Sequence, residues 1–194
     1  VAQNAVVVKA VAVTENIAAI KICKTWVIIL STWVEIEQGQ PLGLANDMSL
    51  VGNEAPDFTA TVVTADGGFE SFTLSEQKGK YVVLFFYPLD FTFVCPSELL
   101  AFDHRMDEFT KRGVEVVGCS VDSEHTHWAW RNTPVNEGGI GWLNYSLIAD
   151  LDKEIAYQYD VLHDEKVALR GSFLIDKESV VQHAVINNLP LGRN

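Results

Sequence analysis

The sequence contains little cysteine, little positive charge and no long apolar run. Three of its 194 residues are cysteine, too few and too widely spaced for the disulfide framework of a small secreted protein. Lys and Arg number 14 against 26 Asp and Glu, a formal net charge of −12, and this charge argues against nucleic acid or an anionic membrane as the main partner. Its apolar runs, such as that at residues 26–30, are far shorter than the roughly 20 residues of a spanning helix, so no membrane span is predicted.

The sequence does contain enough apolar residues for one core and a strand–helix–strand pattern. Hydrophobic residues make up 48% of the chain and charged residues 21%, which is typical of a globular protein. Continuous apolar runs at 81–87 and 114–121 predict two buried, parallel strands on either side of a helix. That helix is predicted to begin at Pro96 and to carry an apolar stripe formed by Leu99, Phe102, Met106 and Phe109.

Cys95 lies between the first of these strands and the helix. Unpaired N–H groups and the positive end of the helix dipole favour a thiolate at a helix N-terminus, and the thiolate is the reactive form. The carboxyl ends of strands in an open α/β sheet are also where active sites usually lie. The spacing alone, however, leaves open that Cys95 is an inert, buried thiol.

Three further elements are predicted from apolar periodicity and turn residues. Helices are expected near 123–132 and 150–159, flanking a central sheet. A strand at 180–186 would be an exposed edge, which favours pairing with a second chain. The second helix is predicted to bury one face formed by Leu151, Ile155 and Tyr159.

Several segments in register carry a resemblance to a known family. The central one is Pro88-x-x-x-Thr92-x-x-Cys95, and six others follow the family's order and spacing, at 55–58, 121–123, 130–134, 137–141, 169–176 and 188–193. Together they resemble the typical two-cysteine peroxiredoxins, which include the alkyl hydroperoxide reductase peroxidase subunits and the thioredoxin peroxidases. The resemblance covers residues 48–194.

The resemblance implies a fold, an activity and a set of site residues. The fold would be a thioredoxin-like α/β fold with a central mixed sheet flanked by helices. The activity would be reduction of hydrogen peroxide and small alkyl hydroperoxides, in antioxidant defence, with Cys95 oxidised to a sulfenic acid in each turnover. Glu98 and Arg193 would support the active-site arginine. The active-site residues themselves would be Pro88, Thr92, Cys95 and Arg170.

The chemistry of peroxide reduction explains why such residues are needed. A thiolate attacks one oxygen in line while the other leaves as hydroxide or alkoxide, so the site must orient the peroxide and stabilise the departing charge. The Thr92 hydroxyl could donate to the sulfur or to the peroxide, and Arg170 offers fixed donors to the oxyanion. Pro88 would pack as an apolar lid. Taken singly, Thr92 also suits a turn hydroxyl and Arg170 a surface ion pair.

The remaining cysteines and histidines give weaker signals. Cys119 lies in the middle of a predicted strand and is interpreted as a core thiol, and Cys23 has no local partner that would activate it. His125 and His127 are two residues apart, which is not the spacing of a helical zinc pair, so they are expected at the surface or in packing. No metal, haem or flavin cofactor is predicted, because the sulfur itself carries the redox chemistry.

The resemblance also implies partners and a compartment. An external reductant, thioredoxin or a flavoprotein disulfide reductase, would return Cys95 to the thiol. The edge strand at 180–186 would pair with its twin in a homodimer, and dimers would assemble into a decameric ring. A thiol that must be reduced in each cycle favours a cytoplasmic location.

The sequence departs from the family in two places. Residues 1–47 match nothing in the family, so the family domain is expected to begin at Met48. Family members also continue beyond the Leu-Gly-Arg motif into a helix and an arm with a resolving cysteine, and no cysteine of this sequence matches it. The two-cysteine mechanism is the prediction, and reduction of Cys95 by an external thiol is the alternative.

Two other functions compete with the peroxidase. A thioredoxin-like disulfide reductase needs a Cys-x-x-Cys pair, and this sequence has Glu98 at the second position. An oligomeric holdase chaperone with a redox-regulated thiol remains the alternative function. Replacement of Cys95 by serine would distinguish it, because a structural holdase would survive that change.

Overall fold

The computed structural model describes residues 49–193, in which a mixed sheet of seven strands carries the core. Its strands are β1 (Thr59–Val63), β2 (Phe69–Thr73), β3 (Tyr81–Phe86), β4 (Val114–Ser120), β5 (Ser146–Ala149), β8 (Arg170–Ile175) and β9 (Val181–Asn187). A separate two-stranded ribbon is formed by β6 (Leu162–His163) and β7 (Val167–Ala168). The helices are α1 (Cys95–Asp103), α2 (Met106–Lys111), α3 (Glu124–Asn132) and α4 (Glu154–Gln158).

Strand β3 lies near the middle of the sheet, in the order β2-β1-β5-β4-β3-β8-β9. It pairs in parallel with β4, as predicted, and antiparallel with β8. Because side chains alternate across a strand, Leu84 and Phe86 contribute to one apolar cluster and Phe85 to another. The sheet therefore has a core on each face, and the end of β3 is held firmly by both.

The helix after Cys95 differs from the prediction in two respects. It begins at Cys95, one residue before Pro96, so the cysteine itself belongs to the first turn. It also ends at Asp103 and a second helix starts at Met106, because Arg105 adopts φ −110° and ψ 6°, outside the helical region. The prediction of a single continuous helix is thus wrong. The stripe is confirmed: its four apolar residues belong to one cluster or pack against it.

The two later helices show one success and one error. Ser123 caps α3, its hydroxyl accepting a hydrogen bond from Thr126 N at 3.3 Å. Helix α4 is shorter than predicted and begins only at Glu154. Asp150 precedes it, and the Asp150 carboxylate accepts hydrogen bonds from Ile155 N at 3.0 Å and Ala156 N at 2.8 Å. Leu151 is consequently outside the helix and 61% exposed, so its predicted burial is wrong. Ile155 and Tyr159 are buried, as predicted.

The positions of the edge strand β9 and of the Cys119 thiol agree with the predictions from the sequence. Strand β9 is the terminal strand of the sheet beside β8, and Cys119 is completely buried on β4. The predictions for residues 1–47, for Cys23 and for a domain start at Met48 lie outside the described residues. Among the helices of residues 49–193, none combines the length and the apolar character that crossing a membrane requires.

Candidate active site

Cys95 and Arg170 come together at the end of β3. The loop 87–94 leads from β3 into α1, and the thiol of Cys95 is completely buried in the first turn of that helix. Strand β8 runs antiparallel to β3, with Ser172 opposite Phe85, so Arg170 at the start of β8 lies beside the point where β3 ends. There Arg170 Nη1 donates to Cys95 Sγ over 3.4 Å.

Arg170 is held in this position by two acceptors of different kinds. Its Nε donates to the backbone carbonyl of Leu189 over 2.8 Å. Its Nη1 also forms an ion pair with Oε2 of Glu98, which lies in the first turn of α1 and is only 4% exposed. A guanidinium that is fixed at two points loses little further freedom when a reacting group arrives.

The second carboxylate oxygen of Glu98 binds Arg193. Oε1 accepts from the backbone N of Arg193 at 2.8 Å and from Nη1 at 3.1 Å. Arg193 also donates to Ser172 Oγ at 2.9 Å and to the carbonyls of Gly171, at 2.8 Å, and Phe86. Burial lowers the pKa of Arg193 from its usual value, and the Glu98 carboxylate opposes that shift.

The charges of this cluster do not cancel among themselves. Two guanidinium groups share the single carboxylate of Glu98, which leaves one positive charge uncompensated. The sulfur of Cys95 is within hydrogen-bond distance of Arg170. The uncompensated positive charge therefore lies beside the thiol, where it can stabilise negative charge that develops on a reacting group.

The loop before Cys95 places the other two predicted residues. Pro88 is buried, and Thr92 is half-buried. The Thr92 hydroxyl donates to the carbonyl of Leu89 over 3.0 Å, so its proton has a different acceptor from the sulfur or the peroxide that the sequence suggested. Phe91 adopts φ 51°, an uncommon conformation for a residue with a side chain, and its ring lies 5.8 Å from that of Trp130.

The part of the chain described, residues 49–193, offers no group of three or more His, Cys, Asp or Glu side chains that could hold a metal ion. His125 is exposed and His127 is buried, which agrees with the surface and packing roles expected for them.

Comparison with known proteins decides the family. Residues 51–184 match the model of the AhpC/TSA family. The chain is a member of this family, the peroxiredoxins. It is 53% identical over 152 residues to Peroxiredoxin-2 of Mus musculus, an alignment that covers 78% of this chain and 76% of the relative. It is 54% identical over 147 residues to alkyl hydroperoxide reductase C of Helicobacter pylori strain J99, covering 75% of this chain and 74% of the relative.

A solved structure gives the same result for the fold. The reduced 2-Cys peroxiredoxin of Plasmodium vivax matches this peroxiredoxin with a TM-score of 0.74 and 50% identity, covering 75% of this chain and 76% of that one. These comparisons confirm the predicted thioredoxin-like α/β fold, with its central mixed sheet flanked by helices. They also confirm that the protein is a thiol-dependent peroxidase.

Sequence reasoning missed several groups of this peroxiredoxin site. The carbonyls of Leu189 and Gly171 and the hydroxyl of Ser172 orient the two arginines. No sequence signal identifies a backbone carbonyl as a ligand of a distant side chain, because every residue has one. Ser172 lies within the 169–176 segment that carried the resemblance, but its type alone does not indicate that role.

Proposed function

We propose that this peroxiredoxin reduces hydrogen peroxide and small alkyl hydroperoxides with Cys95 as the nucleophile. The observation that carries the proposal is the 3.4 Å contact between Cys95 Sγ and Arg170 Nη1 in a buried first turn of helix. The thiolate attacks one peroxide oxygen, the O–O bond breaks, and the other oxygen leaves as hydroxide or alkoxide. The sulfur is oxidised to a sulfenic acid and the peroxide is reduced.

Arg170 would act on the departing oxygen as well as on the sulfur. Its charge is permanent, and preorganised donors aimed at developing charge are usually a large part of catalysis. Glu98 and Arg193 would keep Arg170 in place, since the same carboxylate binds both arginines. This supports a catalytic role for Arg170 and a supporting role for the other two residues.

Thr92 and Pro88 would orient the substrate. The Thr92 proton is directed to Leu89 O, so the lone pairs of its oxygen are available to accept a hydrogen bond from the peroxide O–H. Pro88 is buried and has no N–H, so it offers an apolar wall without a competing donor. These features support an in-line approach of the peroxide to Cys95.

The proposal is tested by the intact mass of the reduced protein after one equivalent of hydrogen peroxide. A gain of about 16 Da located at Cys95 is expected for the sulfenic acid, and a loss of about 2 Da for a disulfide that follows it. Peptide mapping after trapping with dimedone identifies the cysteine. An unchanged mass, or oxygen added only at another cysteine, would contradict the proposal.

Replacement of Thr92 should separate its hydroxyl from its volume. Thr92→Val is expected to lower kcat/KM for hydrogen peroxide about 10- to 100-fold, because the peroxide loses an orienting acceptor. Thr92→Ser keeps the hydroxyl and should retain most of the activity. Steady-state assays with dithiothreitol as reductant compare the two. Activity kept in Thr92→Val and lost in Thr92→Ser would mean that the methyl group, not the hydroxyl, matters.

We further propose that a thioredoxin or a flavoprotein disulfide reductase regenerates Cys95 and that the protein works in the cytoplasm, because the thiol must be reduced in each cycle.

The edge position of β9 supports a homodimer formed by pairing with a second β9, and such dimers would assemble into a decameric ring. Light scattering on the reduced protein measures the assembly, and a monomeric mass would contradict it.

A further inference from the structure

The loop that leads to Cys95 has one buried side chain between Pro88 and the helix. Of residues 89–94, only Asp90 is buried, at 6% exposure, while Leu89, Phe91 and Phe93 are 37%, 52% and 104% exposed. An acidic residue is seldom buried unless its oxygens are paired. The partners of Asp90 therefore indicate what holds the loop.

Asp90 binds groups from its own loop, from helix α3 and from the turn that follows β4. Oδ1 accepts a hydrogen bond from the hydroxyl of Tyr87 at 2.9 Å, and Oδ2 lies 2.7 Å from Nδ1 of His127 on α3. Its backbone N donates to Asp122 Oδ2 over 2.9 Å, and that oxygen also accepts from Ser120 at the end of β4. The loop is thus fastened to both β4 and α3 through one residue.

His127 is completely buried and uses both ring nitrogens. Nε2 lies 3.0 Å from the carbonyl of Ile148 on β5, and a carbonyl only accepts, so Nε2 carries a proton. A second proton must lie between Nδ1 and Asp90 Oδ2, because two unprotonated acceptors would not approach to 2.7 Å. Burial raises the pKa of the Asp90 carboxyl, and His127 opposes this shift.

Burial also keeps Tyr87 as a hydrogen-bond donor. Its pKa is raised well above the usual value, first by burial and then by the charge of Asp90. The phenol is therefore neutral and donates to Asp90. Both carboxylate oxygens of Asp90 consequently have partners that are themselves fixed in the core, which makes the anchor rigid.

This anchor determines where the substrate-orienting groups lie. Thr92 is two residues after Asp90, and its hydroxyl bonds to Leu89 within the same loop, so that bond moves with the loop and does not fix it. Arg170 and Cys95 are instead held by β8 and α1. The position of Thr92 relative to Arg170 and Cys95 thus depends on the attachment of Asp90.

We propose that Asp90 and His127 are positioning residues for peroxide reduction, which fix the loop 87–94 so that Thr92 and Pro88 face the sulfur of Cys95. This role rests on the proposed function. The pair acts through the loop and does not touch the peroxide. A displacement of about 1 Å in such a support can cost about 100-fold in rate.

The test compares two reactions of Cys95 under single-turnover conditions. Oxidation by hydrogen peroxide requires an oriented substrate, whereas alkylation by iodoacetamide requires only an accessible thiolate. The variants are Asp90→Ala, which removes the anchor, and Asp90→Asn, whose amide can accept from Tyr87 and donate to His127. His127→Phe removes the other half of the pair, and His125→Phe on the exposed side of α3 is its matched control.

Asp90→Ala and His127→Phe are expected to slow peroxide oxidation about 10- to 100-fold without slowing alkylation. Asp90→Asn should stay within about fivefold of wild type, because neutral hydrogen bonds are about half as strong as charged ones. His125→Phe should stay within about twofold. The double variant Asp90→Ala/His127→Phe should react with peroxide no more slowly than the slower of its two single variants, as expected when two residues act as one unit.

Three results would overturn the proposal. They are peroxide oxidation in Asp90→Ala within twofold of wild type, equal slowing of oxidation and alkylation, or a loss in Asp90→Asn as large as in Asp90→Ala, which would assign the effect to charge. If Asp90→Ala does not fold, His127→Phe gives the same comparison from another element. Failure of the proposed function is a different result, since wild-type Cys95 itself would then not react with peroxide.

Discussion

Cys95→Ser is expected to abolish the reduction of hydrogen peroxide. A serine hydroxyl is a weak nucleophile that is not ionised at neutral pH, so the variant lacks the thiolate that attacks the peroxide. Cys119→Ser is the matched control, because Cys119 is buried on β4, where burial raises its pKa well above the usual value and keeps it a neutral thiol. Peroxide consumption with dithiothreitol as the reductant measures both variants.

The same variant tests whether the protein also has the alternative function, that of a holdase chaperone. If Cys95→Ser still suppresses aggregation of a denatured client while consuming no peroxide, the two activities coexist and only one needs the thiol. Residual peroxide turnover in Cys95→Ser, or its loss in Cys119→Ser, would mean that the wrong sulfur has been assigned as the nucleophile.

Glu98→Ala is expected to lower the free energy of unfolding by about 3–5 kcal/mol. The side chain of Glu98 is 1% exposed and pairs with Arg170 and Arg193, whose side chains are 5% and 12% exposed. Its removal would leave two buried guanidinium groups with no anion between them, which is the costly way to break a buried ion pair. Urea unfolding, followed by tryptophan fluorescence, measures the change.

The chain offers a closely matched control for this prediction. Glu108 on α2 also lies between two arginines, Arg105 and Arg112, each at 3.7 Å, but its side chain is 58% exposed. Glu108→Ala should therefore cost less than about 1 kcal/mol, because exposed ion pairs are largely balanced by solvation. Similar losses of unfolding free energy in Glu98→Ala and Glu108→Ala would show that burial does not account for the contribution of the Glu98 ion pairs.

The local features of this site were accessible from the sequence. The apolar run before Cys95 and the stripe after it predicted a strand, a helix and a thiol at the junction, because each depends on a few neighbouring residues. The positions of Thr92 and Arg170 relative to the family motif depended on the resemblance, and the structure brings Arg170 to the sulfur. The break between α1 and α2 was not predicted, since Arg105 is a good helix former.

The long-range contacts that fix the site could not be predicted from neighbouring residues in this way. His127 was judged by its spacing from His125, whereas its role follows from Asp90, 37 residues earlier. Thr92 was expected to donate to the sulfur or the peroxide, but the turn brings the carbonyl of Leu89 within reach of its proton. Such pairings depend on how strands and loops meet in space, and composition and periodicity carry little information about that.

The wide sequence separation of the Glu98 contacts has a consequence for the order of folding. Arg193 is 95 residues from Glu98, and Arg170 is 75 residues from Cys95. Contacts with such long loops form late, because the chain entropy of closing them must first be overcome. A nascent chain that has completed β3, α1 and β4 therefore still lacks both arginines beside its cysteine. Reactivity toward peroxide should appear only when the last segment docks, so it would report completion of the native state more strictly than helix content does.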